Sequence, residues 1–272
     1  MMKDRYDHEV GLRVPLPGLS ESDRQHRHEF MRVVFSGILV FALAGLHVSY
    51  PWLEERAARH RYIWVPFTAG IAIGYVFLYM MPKLSDYTRA IIAAEPSESE
   101  FFHYRVFLFA LFGFLFYFIV DRYRLPGHPR AELATSVHAA SFCFYNALVG
   151  YIIPHIPRPG LVPLLVAAAV LGAHLLGINH QLRHWHPSAF DRLLRWLLAA
   201  SIASGWALAT FTSLPKETLL VMTGFLAGAM IVNVMLEELP QKDDPRRVVP
   251  FLTGIGLFCA VMIFIRSLPR MS

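Results

Sequence analysis

The chain has 272 residues, of which 55% are hydrophobic and only 17% charged, against about a quarter charged in a typical soluble domain. Its mean hydropathy of +0.42, with 21 Phe, 11 Tyr and 5 Trp, excludes a soluble globular domain, a disordered chain and a disulfide scaffold. The net charge of +5 sits in short loops between apolar runs, where it sets topology at a membrane surface and gives no reason to expect nucleic-acid binding.

The first segment, residues 1–30, is a polar tail. Its string Arg24-Gln25-His26-Arg27-His28 holds weak metal donors but reads as solvated chain. No signal-peptide pattern is present there, so the first apolar run is expected to act as its own insertion signal. Eight candidate spans follow, at residues 31–50, 62–81, 104–120, 133–153, 160–179, 193–213, 217–236 and 248–267. Each has about the 20 residues that carry a helix across about 30 Å of hydrocarbon. Backbone amides in lipid must be bonded internally, which makes these spans helices; their uninterrupted apolar character excludes a β-barrel, whose strands alternate. The expected fold is therefore an all-α, polytopic bundle over residues 31–272. Cys143 and Cys259 lie inside apolar runs and read as small packing residues.

Connections are short and marked by turn residues, as in Leu125-Pro126-Gly127-His128-Pro129. The loops after spans 1, 3, 5 and 7 carry Arg56, Arg59 and Arg61; Arg122, Arg124 and Arg130; Arg183 and Arg192; and Lys242, Arg246 and Arg247. The opposite side carries only Lys83, Arg89, Arg158, Lys216, Arg266 and Arg270. This bias puts both termini outside the cytoplasm of a plasma or inner membrane, although Lys3, Arg5, Arg13, Arg24 and Arg27 in the tail pull the other way.

One repeat stands out. Residues 68–83 and 226–241 share an Ala-Gly start (Ala69-Gly70, Ala227-Gly228), apolar matches between, and a closing proline (Pro82, Pro240). Span 2 thus matches span 7. One span on the outer side of each match gives three spans, then two, then three, with the copies inverted in the membrane. Inverted repeats are common in secondary transporters, with the solute site near the midplane.

With these residues in place, the chain resembles the ZIP (zinc- and iron-regulated transporter-like) metal transporters. Tyr79-Met80-Met81-Pro82-Lys83 stands where that family has His-x-x-Pro-Glu, and Phe225-Leu226-Ala227-Gly228 through Glu237-Glu238-Leu239-Pro240 resembles its span 7. The resemblance covers about residues 35–267. It implies a carrier of a divalent, zinc-like metal ion working by alternating access, without catalytic activity. It also implies a metal site on spans 4 and 5, each with a His followed four residues later by a carboxylate, on one helical face.

Here His138 and His174 stand in the histidine places, but Phe142 and Ile178 replace the carboxylates. Asn146 and Cys143 are the remaining nearby donors. A second register puts Asn146 in the acid position and Phe142 in that of His. Two readings stay open for the histidines: a two-His remnant of a metal site, at similar depth in antiparallel spans, or side chains bonded to neighbouring helices. Glu237 is either a cation attractor at a cavity mouth or a solvated helix end. Lys83 opposes cation passage unless it snorkels to the interface, and Tyr79 lies beside it. His180, His184 and His186 read as an interfacial pH-sensitive cluster or a peripheral metal site. The expected partners are lipid and a divalent metal. Gly70, Gly74, Gly224 and Gly228 permit close helix contact, either within one chain or in a homodimer. Two further readings are a non-transporting scaffold or sensor on the same framework, and a carrier of a non-metal solute.

Overall fold

The computed structural model describes residues 21–94, 100–122, 131–155, 161–237 and 245–267, all helix and short connections with no strand among the described residues. We label the helices α1 (Glu21–Ala57), α2 (Arg61–Tyr75), α3 (Met81–Ala94), α4 (Glu100–Arg122), α5 (Ala131–Ile152), α6 (Leu161–Trp185), α7 (Arg195–Phe211), α8 (Lys216–Glu237) and α9 (Val248–Ser267). Six helical segments among the described residues are long and apolar enough to cross a membrane. The first of them, Gln25–Asp86, has 62 residues and would rise about 90 Å if straight, far more than one crossing. It breaks at the tight turn Ala58–His60. His180 of α6 meets Glu54 before that turn and Trp64 after it, so the chain doubles back over the end of α6.

Three boundaries differ from the sequence expectation, and one of them is the end of α6, which runs past residue 179 to Trp185 and takes in His180 and His184. Residues 21–30 of the polar tail already belong to α1. The second run does not stop at Pro82: it widens into a π turn at Val76–Met80, in which the Met81 amide donates to the Val76 carbonyl, and continues as α3. Proline has no N–H to continue the ladder, and a widened turn just before it absorbs the ring without ending the helix.

Close packing comes from small residues. The helix pairs α2 with α9, α4 with α8, α5 with α7, and α1 with both α6 and α7 make the main contacts. Gly70 of α2 lies against the Phe251 carbonyl of α9, and Gly254 of α9 against the Phe67 carbonyl of α2. In the same way Gly228 of α8 lies against the Ala110 carbonyl of α4, and Gly113 of α4 against the Phe225 carbonyl of α8. Gly150 and Gly205 do the same between α5 and α7, against Ile202 and Ala147. At each of these places a Cβ would collide with backbone, so only glycine allows the approach. Without a hydrophobic drive between helices in lipid, such contact is a main source of association. Gly70, Gly74, Gly224 and Gly228, the four glycines open to either use in the sequence, all pack within the chain.

One apolar cluster is built around Tyr50, Phe142, Tyr145, Leu175, Ile178 and Phe190, and a second around Ala69, Val76, Ala227 and Met230. Phe107, Leu111, Phe112 and Ile119 on α4, and Leu252, Ile263 and Phe264 on α9, face outward. In water so much exposed apolar surface would drive aggregation; hydrocarbon is its natural solvent.

Candidate functional site

The interior is not wholly apolar. His47 of α1, Asn146 of α5, and Asn179 and His174 of α6 are each 0% exposed. His47 Nδ1 lies 2.7 Å from Asn179 Oδ1, and His47 Nε2 lies 2.9 Å from Asn146 Oδ1. Five residues back along α6 from Asn179, the Tyr145 hydroxyl lies 2.9 Å from His174 Nε2. Polar groups in the hydrocarbon zone are costly and mark functional interiors.

The hydrogen bonds constrain one another. Asn146 Nδ2 donates to the Phe142 carbonyl at 2.9 Å, which turns its oxygen toward His47, so His47 Nε2 carries the proton. Neutral His47 then presents a lone pair at Nδ1, which needs a donor. Asn179 Nδ2 has no partner in the orientation that puts Oδ1 toward His47; turning the amide over supplies that donor. With both ring nitrogens protonated, the two amide oxygens accept together. The triad therefore accommodates either charge state of His47 by rotation of one amide. His174 Nδ1 is also buried without a partner. If Nε2 donates to the Tyr145 oxygen, Nδ1 is an uncommitted imidazole lone pair.

The expected pairing of His138 with His174 is not formed. His138 Nε2 donates to the Val120 carbonyl at 2.9 Å, and its Nδ1 lies 3.3 Å from His186 Nε2. His186 sits just past the end of α6, about 18 Å along the helix axis from His174; the two predicted ligands thus lie at different depths, contrary to the sequence expectation. Both are buried and bonded to neighbouring helices. Phe142 and Ile178, at the positions where the resemblance implies carboxylates, are part of the larger apolar cluster. Cys143 is a free, half-buried thiol that faces Ser201 on α7. Asn146 alone of the proposed span 4 donors enters the seam.

The peripheral residues divide between networks. His186 also bonds Thr135 at 3.2 Å. His180 instead donates to Glu54 Oε1 at 2.9 Å, and His184 stacks on His180. Arg183 Nη1 donates to Glu54 Oε2 at 2.9 Å, while its Nε and Nη2 grip both oxygens of Asp191 at 2.9 and 3.1 Å. Arg61 stands 3.9 Å from Glu54. Burial raises the proton affinity of Glu54, but the hydrogen bonds and charges of His180 and Arg183 outweigh it and hold the carboxyl below its ordinary value. Lys83 folds back along its own helix: Nζ donates to the Tyr79 hydroxyl at 2.9 Å and lies 4.9 Å from that ring, which stacks on Tyr75. Glu237 ends α8, and its side chain lies outside the described residues.

Among the described residues no group of three or more His, Cys, Asp or Glu is placed to hold a metal ion. The seam is a different donor set, of neutral imidazoles, amides and a phenol. His47, Asn179, Tyr145 and Glu54 were not singled out by sequence reasoning. They lie on three helices, His47 and Glu54 on α1, Tyr145 on α5 and Asn179 on α6, and only tertiary packing brings each to its partner.

Fold and seam together define a multi-pass helical membrane protein. Compared with known proteins, the chain matches no family model, no curated protein and no solved structure.

Proposed function

We propose that the protein is a ZIP-like carrier of a divalent, zinc-like metal ion, built from eight crossings in a 3+2+3 inverted repeat. The repeat is supported by the glycine contacts. The offset that carries Gly70 onto Gly228 also carries Phe67 onto Phe225, and a single shift carries Gly113 onto Gly254 and Ala110 onto Phe251. The α2–α9 and α4–α8 crossings are then the same contact made twice.

The observation that carries the solute reading is the buried seam on α1, α5 and α6, with an unpartnered Nδ1 on His174 and an Asn179 amide bonded through one end only, to His47. Imidazole and amide oxygen suit a borderline divalent ion, and a donor set without fixed carboxylates holds it weakly enough to let it leave. The path would use His47, Asn146, Asn179 and His174, with His138 outside it.

Zinc entry into proteoliposomes loaded with a fluorescent zinc indicator tests this. Uptake above that of empty vesicles, abolished in the His47→Ala, His174→Ala double variant and kept in His138→Ala, is the expected result. Uptake equal to that of empty vesicles removes the carrier reading. The second reading, a non-transporting scaffold or sensor on this framework, is favoured by the apolar burial of Phe142 and Ile178 where carboxylates belong and predicts that outcome.

A further inference from the structure

The two ends of the α1–α5–α6–α7 group are closed by different chemistry. At one end, the last turns of α1 and α6 are joined by Glu54 with Arg183 and His180. At the other end, the last turn of α5 meets the residue after α7: the Tyr151 hydroxyl lies 3.0 Å from Thr212 Oγ1. Thr212 donates its own proton to the Leu208 carbonyl, so Tyr151 is the donor. This inference rests on the inverted repeat proposed above, because there the two closures are counterparts. The offset that carries Gly70 onto Gly228 carries Glu54 onto Thr212 and His47 onto Gly205. Gly205 packs on Ala147 as His47 bonds Asn179, and the shift from Ala147 to Asn179 carries Tyr151 onto Arg183. One contact thus occurs twice, among the described residues as a charged network at one face and as the neutral Tyr151–Thr212 hydrogen bond at the other.

We propose that these contacts are the two gates of one interior, and that Glu54–Arg183 is the latch holding the His47–Asn146–Asn179 seam shut toward the arginine-rich face. Asn179 lies one helical turn below Arg183 and is fully buried, so an opened latch uncovers it first. Among the described residues the neutral gate has the Tyr151–Thr212 bond to lose, and the charged gate has several that share partners. The asymmetry sets the resting state: closed firmly on the arginine-rich side, loosely on the other.

The test uses the full-length protein in oriented membrane vesicles, with Cys143→Ser and Cys259→Ser removing native thiols and Asn179→Cys as reporter. A membrane-impermeant thiol reagent is added from one side at a time. Glu54→Gln is expected to speed labelling from the Glu54 side by about tenfold, the scale set by losing charge-assisted hydrogen bonds from a two-state closure, and to leave the other side unchanged. Tyr151→Phe is expected to speed labelling only from its own side. No change with Glu54→Gln in a monodisperse protein, or an equal rise from both sides, overturns the proposal. Should Glu54→Gln not fold, an unchanged rate in Tyr151→Phe overturns it instead. Labelling needs no metal, so failure here and failure of zinc transport are separate results.

Discussion

Asn146 holds its amide oxygen toward His47 because its nitrogen is already committed to the Phe142 carbonyl one turn back. A histidine in the apolar stretch of α1 thereby acquires a fixed donor direction.

Replacing Asn146 by Leu leaves the Nε2 proton of His47 buried without an acceptor. The expected cost is about 1–3 kcal/mol. Adding His47→Leu should recover part of that loss, because both sides of the bond are then apolar. Unfolding curves of the two single variants and the double variant in detergent give the coupling energy, and strict additivity would show that the bond is not made.

The paired glycine crossings make a sharper contrast. Gly70→Val and Gly228→Val each push a side chain into a backbone carbonyl of the neighbouring helix, where rotamer changes give no relief. Each is expected to destabilise by about 1–3 kcal/mol or more. Gly45→Ala has open space around the new methyl group and should be neutral or stabilise by up to about 1 kcal/mol through helix propensity. Thermal unfolding monitored by Trp fluorescence separates the two classes.

Glu54 makes stability depend on acid. Its carboxyl binds a proton less readily in the folded protein than its ordinary value implies. The stabilisation is therefore complete above the ordinary carboxylate range and is lost as pH falls through the lower folded value. The wild-type midpoint should drop as pH falls below the ordinary carboxylate range, and Glu54→Gln should remove this group's share of that slope. Identical slopes in the two proteins would contradict the network drawn at that face.

His138 is expected to matter for stability and not for passage of an ion. His138→Leu takes the hydrogen bond from the Val120 carbonyl and from His186, at a cost of about 1–3 kcal/mol. In vesicles, His138→Ala should carry zinc at the wild-type rate once corrected for the amount of folded protein.

Much of the framework was legible in the sequence because hydrophobic run length answers to bilayer thickness alone. The match of Gly70 with Gly228 was readable too, since the two glycines do the same work against different helices. The extent of the helices was not: the run past Pro82 and the early start of α1 at Glu21 depend on a local π turn and on polar residues that prolong a helix outside its apolar stretch. The site was legible only in part. Asn146 was found through its spacing from His138. The second register, with Phe142 in the histidine place, is the one the proposed repeat requires, because it aligns Ala147 with Asn179 and Tyr151 with Arg183 in sequence. His47 carries little signal in its own helix: Leu43, Ala44 and Pro51 stand one turn away, and Glu54, two turns on, serves the ion-pair network and not the seam. Its importance comes from Asn146 and Asn179, far away in the chain.

The glycine-tight crossings have a mechanical consequence. Where the carbonyl of one helix rests on the Cα of another, as at Gly70 with Phe251 or Gly228 with Ala110, neither helix can slide without dragging its neighbour. Such couples move as rigid bodies. Shear is left to the joints around α6, where hydrogen bonds such as His47–Asn179 and Tyr145–His174 can be broken and remade without unlocking a backbone.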